Sequence, residues 1–240
     1  MLKYREIENI LKKRIQNETY PAGSLFPKQN DLAKEFNTSR VTIRKALDHL
    51  IQIGLIYPQR GAGTFVRSTA NELSHFETDV DQYIGTTKLL GDKHLVESKV
   101  INFEIRYPSE KEIAALTIET GDLIYDIKRL RIVDHDPYAL EYTIMPVNII
   151  PKIDKTILGG SVYAYIEEVL RQKIGSAYRR ISAAKPTEDD KKYLSCKSDD
   201  PVLKVNQIVS LESNIPFEFS ETHHRFDKES ISVYLPGNRR

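Results

Sequence analysis

TSRVTIRKAL, Thr38 to Leu47, decides the fold of the N-terminal part of this chain. Ile43, Ala46 and Leu47 recur at helical spacing, with Leu50 one turn further on, so they form one apolar face. Val41, Arg44, Lys45 and Asp48 fall on the other face. Ser39 stands where its hydroxyl can accept the amide of Thr42, which makes it an N-cap. The spacing predicts a helix over Arg40 to Ile53, stopped by Gly54 at the C′ position.

Working outward, Ile7, Ile10, Leu11 and Ile15 predict a helix from Lys3 to Asn17, broken by YPAGS. Its charged, amphipathic start reads as a folded helix rather than a leader peptide. A short helix from Lys28 to Phe36 turns Leu32, Ala33 and Phe36 inward. After Gly54, LIYPQRGAGTFV predicts two short strands around a glycine turn. A helix that packs on one face and presents Arg and Thr at its first turn has the form of a major-groove reader. An arginine there can bind guanine O6 and N7 together, and Val41 can meet a thymine methyl. Gln59, Arg60 and Thr64 on the hairpin can approach the backbone or the minor groove. The alternative for the basic face is a solvated surface, and for the glycines a plain turn.

Charge supports a polyanion partner for this head. Residues 1–68 carry twelve Lys and Arg against six Asp and Glu, whereas the rest carries twenty-three against twenty-eight. The whole chain, at 240 residues, is close to neutral at +1. A basic head on an acidic body predicts that only the head meets nucleic acid. No apolar run approaches the ~18 residues that span a bilayer. A lone cysteine, Cys196, excludes an internal disulfide and predicts a reducing, cytoplasmic setting. These readings give a head over 1–68, a polar linker over 69–76 (within RSTANELS and just beyond) and a body over 77–240.

The body reads as α+β with a mainly antiparallel sheet. VESKVINFEIRY is a strand, and PSEKEIAAL opens a helix with the capping-box pair Ser109 and Glu112. LIYDIKRLRIV and YALEYTIM form a hairpin around DHDP. SVYAYIEEVLRQ is an amphipathic helix behind Ser161, and TEDDKKYL a short one capped by Thr187. VLKVNQIVSL and PFEFSETHHRF form a second hairpin.

Three groups carry possible chemistry. Arg129 and Arg131, two apart on a strand, share a face and repel unless an anion lies between them. That anion is either a ligand or a carboxylate such as Glu141. Glu141 itself serves either a sugar hydroxyl or a salt bridge to Arg131. Ser161-Val162-Tyr163 is either a simple cap or part of a phosphate site. Glu221 and His223 share a strand face, and too few ligands accompany them for a metal, so a structural histidine is expected. There is no Ser-His-Asp pattern, metal cluster or phosphate-binding glycine loop, so no enzyme and no cofactor is expected.

Residues 4–66 resemble the N-terminal domain of the GntR family of bacterial transcription regulators, a winged helix-turn-helix. Pro27, Leu32, SRVTIRKAL, Leu50–Gly54 and RGAGTFV carry the resemblance. It implies DNA contacts at Ser39, Arg40, Thr42, Arg44, Arg60 and Gly61, with Lys45, Gly63 and Thr64 beside them. Many members carry an acidic residue and then Arg, Asn or His after the first proline; here Gln29-Asn30 stands there. Residues 75–235 resemble the UTRA domain of the HutC branch, which is chorismate lyase-like in fold. Arg129-x-Arg131, Glu141 with the following Met-Pro, Ser161-x-Tyr163 and Glu221-x-x-His224-Arg225-x-Asp227 carry that match. The likeness is strongest to trehalose and amino-sugar repressors. It implies a phosphate held by Arg129, Arg131, Ser161 and Tyr163. It also implies sugar contacts at Glu141 and Glu221, with Arg179 and His223 nearby. The function implied is a homodimeric repressor of a carbohydrate operon. It would bind a near-palindromic double-stranded operator and be released by a phosphorylated sugar.

Overall fold

The computed structural model describes residues 3–70, 85, 87, 90 and 94–231. The chain separates into two compact units. The first holds α1 (Lys3–Gln16), α2 (Gln29–Glu35), α3 (Arg40–Gln52), β1 (Ile56–Gln59) and β2 (Gly63–Val66). Ile7, Leu11 and Ile15 of α1 meet Leu32 of α2 and Ile43, Ala46, Leu47 and Leu50 of α3 in one buried cluster. The apolar spacing of each helix is thus satisfied by the other two. A buried carboxylate–imidazole contact, Glu8 to His49 at 2.6 Å, ties α1 to α3.

β1 and β2 pair antiparallel, with Gln59 opposite Gly63. Gly63 has φ of +118°, and a Cβ there would come within 2.9 Å of Leu25 Cδ1, so this turn residue must lack a side chain. Gly54 follows α3 with φ of +79°, and Leu55 N–H donates to Leu50 O at 3.0 Å across it. Arg67 Nε donates to Gly54 O at 2.8 Å, and Ala70 is fully buried in the head's core. The polar stretch after β2 therefore starts as part of the head; residues 71–76 lie outside the described residues.

The second unit is built on one six-stranded sheet in the order β3-β4-β5-β8-β7-β6, every neighbouring pair antiparallel. Its strands are β3 (Val96–Arg106), β4 (Ile124–Val133), β5 (Asp136–Pro146), β6 (Ile174–Ala184), β7 (Val202–Leu211) and β8 (Pro216–Arg225). Both expected hairpins form. The β4–β5 turn places Asp134 and His135 at φ of 49° and 68°, the mirror-image turn that suits strand twist. Helix α4 (Glu110–Leu116) opens with the Ser109–Glu112 capping box, and α7 (Glu188–Tyr193) with its Thr187–Asp190 equivalent.

One face of the sheet is covered by α5 (Lys155–Gly159), α6 (Val162–Ala164) and a π-helical turn over Tyr165–Val169. Leu158, Val162 and Ile166 pack there on Tyr125, Ile127, Met145, Val209 and Phe217. A smaller cluster, Leu130, Leu140, Leu194, Cys196 and Val202, gathers around the strands that bear Leu130 and Leu140 and the end of α7. The helix expected over Ser161 to Gln172 is shorter than its sequence pattern. After three residues it widens into the π turn and stops before Leu170.

Candidate functional site

Two groups of side chains carry chemistry, one in each unit. In the head, Ser39 Oγ accepts the Thr42 amide at 3.1 Å and so caps the N-terminus of α3. Arg40, Val41, Arg44 and Lys45 are all exposed on that helix. Val41 is 66% exposed, an apolar residue with no packing role in the head. Arg44 makes only a loose, solvent-facing pair with Asp48 at 3.7 Å, which leaves its fork available. Arg60, Gly61 and Gly63 are exposed at the hairpin tip, and Thr64 is half-buried beside it. The sequence-selected residues of the head thus form an outward-facing set on α3 and another on the hairpin.

In the body, Arg129 and Arg131 of β4 are buried, at 9% and 2% exposure. Arg129 lies directly opposite Glu141 of β5, and its Nη2 donates to Glu141 Oε2 at 2.7 Å. Glu141 Oε1 is 3.8 Å from Arg131 Nε. Arg129 Nη1 donates to Leu158 O at 3.2 Å, and Arg131 Nη2 to Thr87 Oγ1 at 2.5 Å. Arg131 Nη1 donates to Ser98 Oγ. Among the described residues the Nε–H of each arginine is buried without a hydrogen-bond partner. Burial pushes the Glu141 carboxyl up, but the two guanidinia outweigh this and hold it below its ordinary range. Burial lowers Arg131, with Arg129 adding to the effect against the pull of Glu141.

Alternation along β8 brings Glu218, Ser220, Thr222 and His224 to this same face, since Thr222 is the cross-strand partner of Glu141. Tyr163 OH donates to Glu218 Oε2 at 2.8 Å. Glu218 Oε1 accepts from Gln207 Nε2 at 2.8 Å and from Ser220 Oγ at 2.6 Å. Burial raises the Glu218 carboxyl, so it leans toward the neutral acid. Arg179 reaches the face from β6, with Nε donating to Gln207 Oε1 at 3.0 Å. Ser161 Oγ accepts the Ala164 amide at 3.1 Å, the plain cap reading.

Two profiles match this chain. Residues 3–66 match that of bacterial regulatory proteins, gntR family. Residues 92–229 match that of the UTRA domain. GmuR, an HTH-type transcriptional regulator of Bacillus subtilis, is 42% identical over 95% of this chain and 96% of its own. The chain belongs to the gntR family of bacterial regulatory proteins. The crystal structure of YydK, a possible transcriptional regulator from Bacillus subtilis, superposes with a TM-score of 0.76. It is 26% identical and covers 98% of this chain and all of the other. The effector binding domain of the Bacillus subtilis trehalose repressor gives a TM-score of 0.52 at 27% identity. That match covers 60% of this chain and 99% of the domain. This gntR-family chain is a DNA-binding transcription regulator with a UTRA domain, not an enzyme.

Within the UTRA domain, Glu221 and His223, to which the resemblance assigned effector contacts, lie on the face of the sheet opposite Arg129 and Arg131. Glu221 is the cross-strand neighbour of Tyr142 and Asn206, one step out of phase with the Glu141–Thr222 row. There His223 Nδ1 meets Asp190 Oδ1 at 2.9 Å, and its Nε2 meets Glu221 Oε1 at 2.8 Å. Lys204 and Asn206 each reach Glu221 Oε2 at 2.6 Å. Burial lowers His223, yet Asp190 and Glu221 outweigh it and leave the imidazole raised. This is a structural ion cluster that fastens α7 to the sheet.

Sequence reading gave no effector role to Thr87, Ser98, Gln207, Glu218, Ser220, Thr222 or His224, all of which the fold brings to the arginine face. Period-two alternation from Arg129 would have selected Glu218 and His224 had the β5–β8 register been known. Among the described residues no group of three or more His, Cys, Asp or Glu side chains is placed to hold a metal ion. No helix among them is long and apolar enough to cross a membrane.

Proposed function

We propose that this regulator is a repressor of a carbohydrate-utilisation operon, released from DNA by a small anion such as a phosphorylated sugar. The single observation that carries the reading is the Arg129–Arg131 pair. Two buried guanidinia share one carboxylate, and among the described residues each keeps a buried Nε–H without a hydrogen-bond partner. Buried charge without compensation is costly, and a phosphate or carboxylate would satisfy both forks. Tyr163, Glu141 and Glu218 stand around that anion to read hydroxyls, with Arg179 at the margin. The named trehalose repressor among the similar structures supports a sugar as the neutral part of the ligand.

The head, residues 1–68, reads the operator. Arg40, Thr42, Arg44 and Lys45 enter the major groove on α3, with Ser39 capping the helix. Arg60, Gly61, Gly63 and Thr64 follow the backbone from the hairpin. One head of this size binds weakly alone, which supports a homodimer on a near-palindromic site. The body from residue 77 onward senses the effector, and the linker carries its effect to the heads. The reducing, cytoplasmic setting inferred from Cys196 fits this role.

Selection of bound duplexes from a random pool, followed by anisotropy with the enriched sequence, tests the reading. A near-palindrome should emerge, its affinity should fall steeply with salt, and a sugar phosphate should release it. A salt-independent complex, or no release by any member of a sugar-phosphate panel, would overturn it.

A further inference from the structure

We propose that Glu141 is the resident counter-ion of the arginine pair, and that an incoming anion displaces it rather than binding beside it. The inference rests on reading Arg129 and Arg131 as the anion site, and concerns how that site is controlled. The carboxylate spans both cations, at 2.7 Å from Arg129 Nη2 and 3.8 Å from Arg131 Nε. That bridging position is the one a ligand anion would need.

Sharing the position is unfavourable. A second anion next to the Glu141 carboxylate would set like charges together where burial leaves little water to screen them. The guanidinia themselves are held by other partners. Arg129 is anchored on Leu158 O, and Arg131 on Ser98 and Thr87. When the two anions compete, the cations therefore stay and the carboxylate swings. Thr222, directly opposite Glu141 on β8, carries a hydroxyl on the same face of the sheet. The freed carboxylate is then available to accept from hydroxyls of the ligand.

This exchange selects the class of ligand. A monocarboxylate replacing Glu141 exchanges like for like and gains little. A phosphate brings more charge and three acceptor oxygens, enough to engage both forks and the two unpartnered Nε–H groups. The wild-type site thus discriminates phosphate from carboxylate through its own internal competitor.

The test uses the full chain, wild type and Glu141→Gln, with inorganic phosphate and acetate as separate probes in calorimetry and thermal unfolding. Glu141→Gln keeps the shape and removes the charge. It should melt at a lower temperature without anion and bind phosphate on the order of tenfold more tightly. It should also gain acetate binding that the wild type lacks. Should the glutamine variant fail to fold, Glu141→Asp, whose carboxylate is withdrawn by one methylene, should shift phosphate affinity in the same direction. Phosphate binding that is equal or weaker in the variant would overturn the displacement while leaving the anion site standing. Phosphate binding to neither protein would overturn the anion site, and the displacement with it.

Discussion

Ser39 and Thr42 close the first turn of α3 on each other. The Ser39 hydroxyl accepts the Thr42 amide at 3.1 Å and lies 2.8 Å from the Thr42 hydroxyl. The same two residues stand on the surface proposed to meet DNA, so stability and recognition share a turn. Ser39→Ala should cost about 1 kcal/mol of head stability. Urea unfolding of the chain checks this, with a loss confined to the transition of the head.

Arg44→Ala separates recognition from folding. Its side chain is exposed and makes only the loose pair with Asp48. The melting temperature should stay within about 1 °C of wild type, because exposed pairs of this kind contribute little. Operator affinity should fall by about 1–3 kcal/mol if Arg44 reads a guanine. Anisotropy on the selected operator measures it, and equal affinity in the two proteins counts against the contact.

Arg131→Met tests the buried arginine pair with a side chain that fills much of the same space. Operator binding should be kept within about twofold, while release by the effector is lost. A dose response identical to wild type would remove Arg131 from the site.

The opposite face of the sheet gives the contrasting expectation. Glu221→Gln should leave the effector dose response unchanged within about twofold, since its carboxylate faces Lys204, Asn206 and His223. His223→Ala should instead destabilise the body by about 3 kcal/mol, because it removes the cationic partner of the buried Asp190 carboxylate and leaves it, among the described residues, only the bonds from Thr187. Paired denaturation and titration curves distinguish the two substitutions.

Acid sensitivity has an identifiable source in Glu112. The Arg106 guanidinium, at 2.7 Å, outweighs burial and with Ser109 holds this carboxyl down to about 2 from an ordinary 4.5. A depressed carboxyl stabilises the fold above its unfolded pKa, and that contribution is lost as pH falls from 4.5 toward 2. It amounts to about 2 kcal/mol after allowance for solvent screening. Glu112→Gln should be less stable at neutral pH and should flatten the acid limb of a stability–pH curve in that window.

What could be read in advance follows from physical periodicity. The two longer head helices were legible because Ile7, Leu11 and Ile43, Ala46, Leu47 each repeat at one helical turn and have only one way to be buried. The cap at Ser39 and the capping box at Ser109 are local, and local geometry needs no knowledge of neighbours. The arginine pair was legible for the same reason, being two apart on one strand.

The rest depended on long-range pairing. FEFSETHHRF carries polar groups on both faces, so nothing in its pattern says whether Glu221 or Thr222 stands beside Glu141. A slip of one residue moves every side chain to the other face. The strand β6 escaped detection because, as an edge strand, it leaves most of both faces exposed and shows no apolar alternation. The π turn after Ala164 escaped because Val162, Ile166 and Val169 keep helical spacing; the backbone widens there in spite of it.

The burial of Ala70 determines where this molecule can be cut. A fragment ending at Val66 would lose the Arg67 clasp on Gly54 and leave a methyl-sized hollow in the head. Excised after residue 70 instead, the reading head keeps both, and is the shortest piece expected to fold alone.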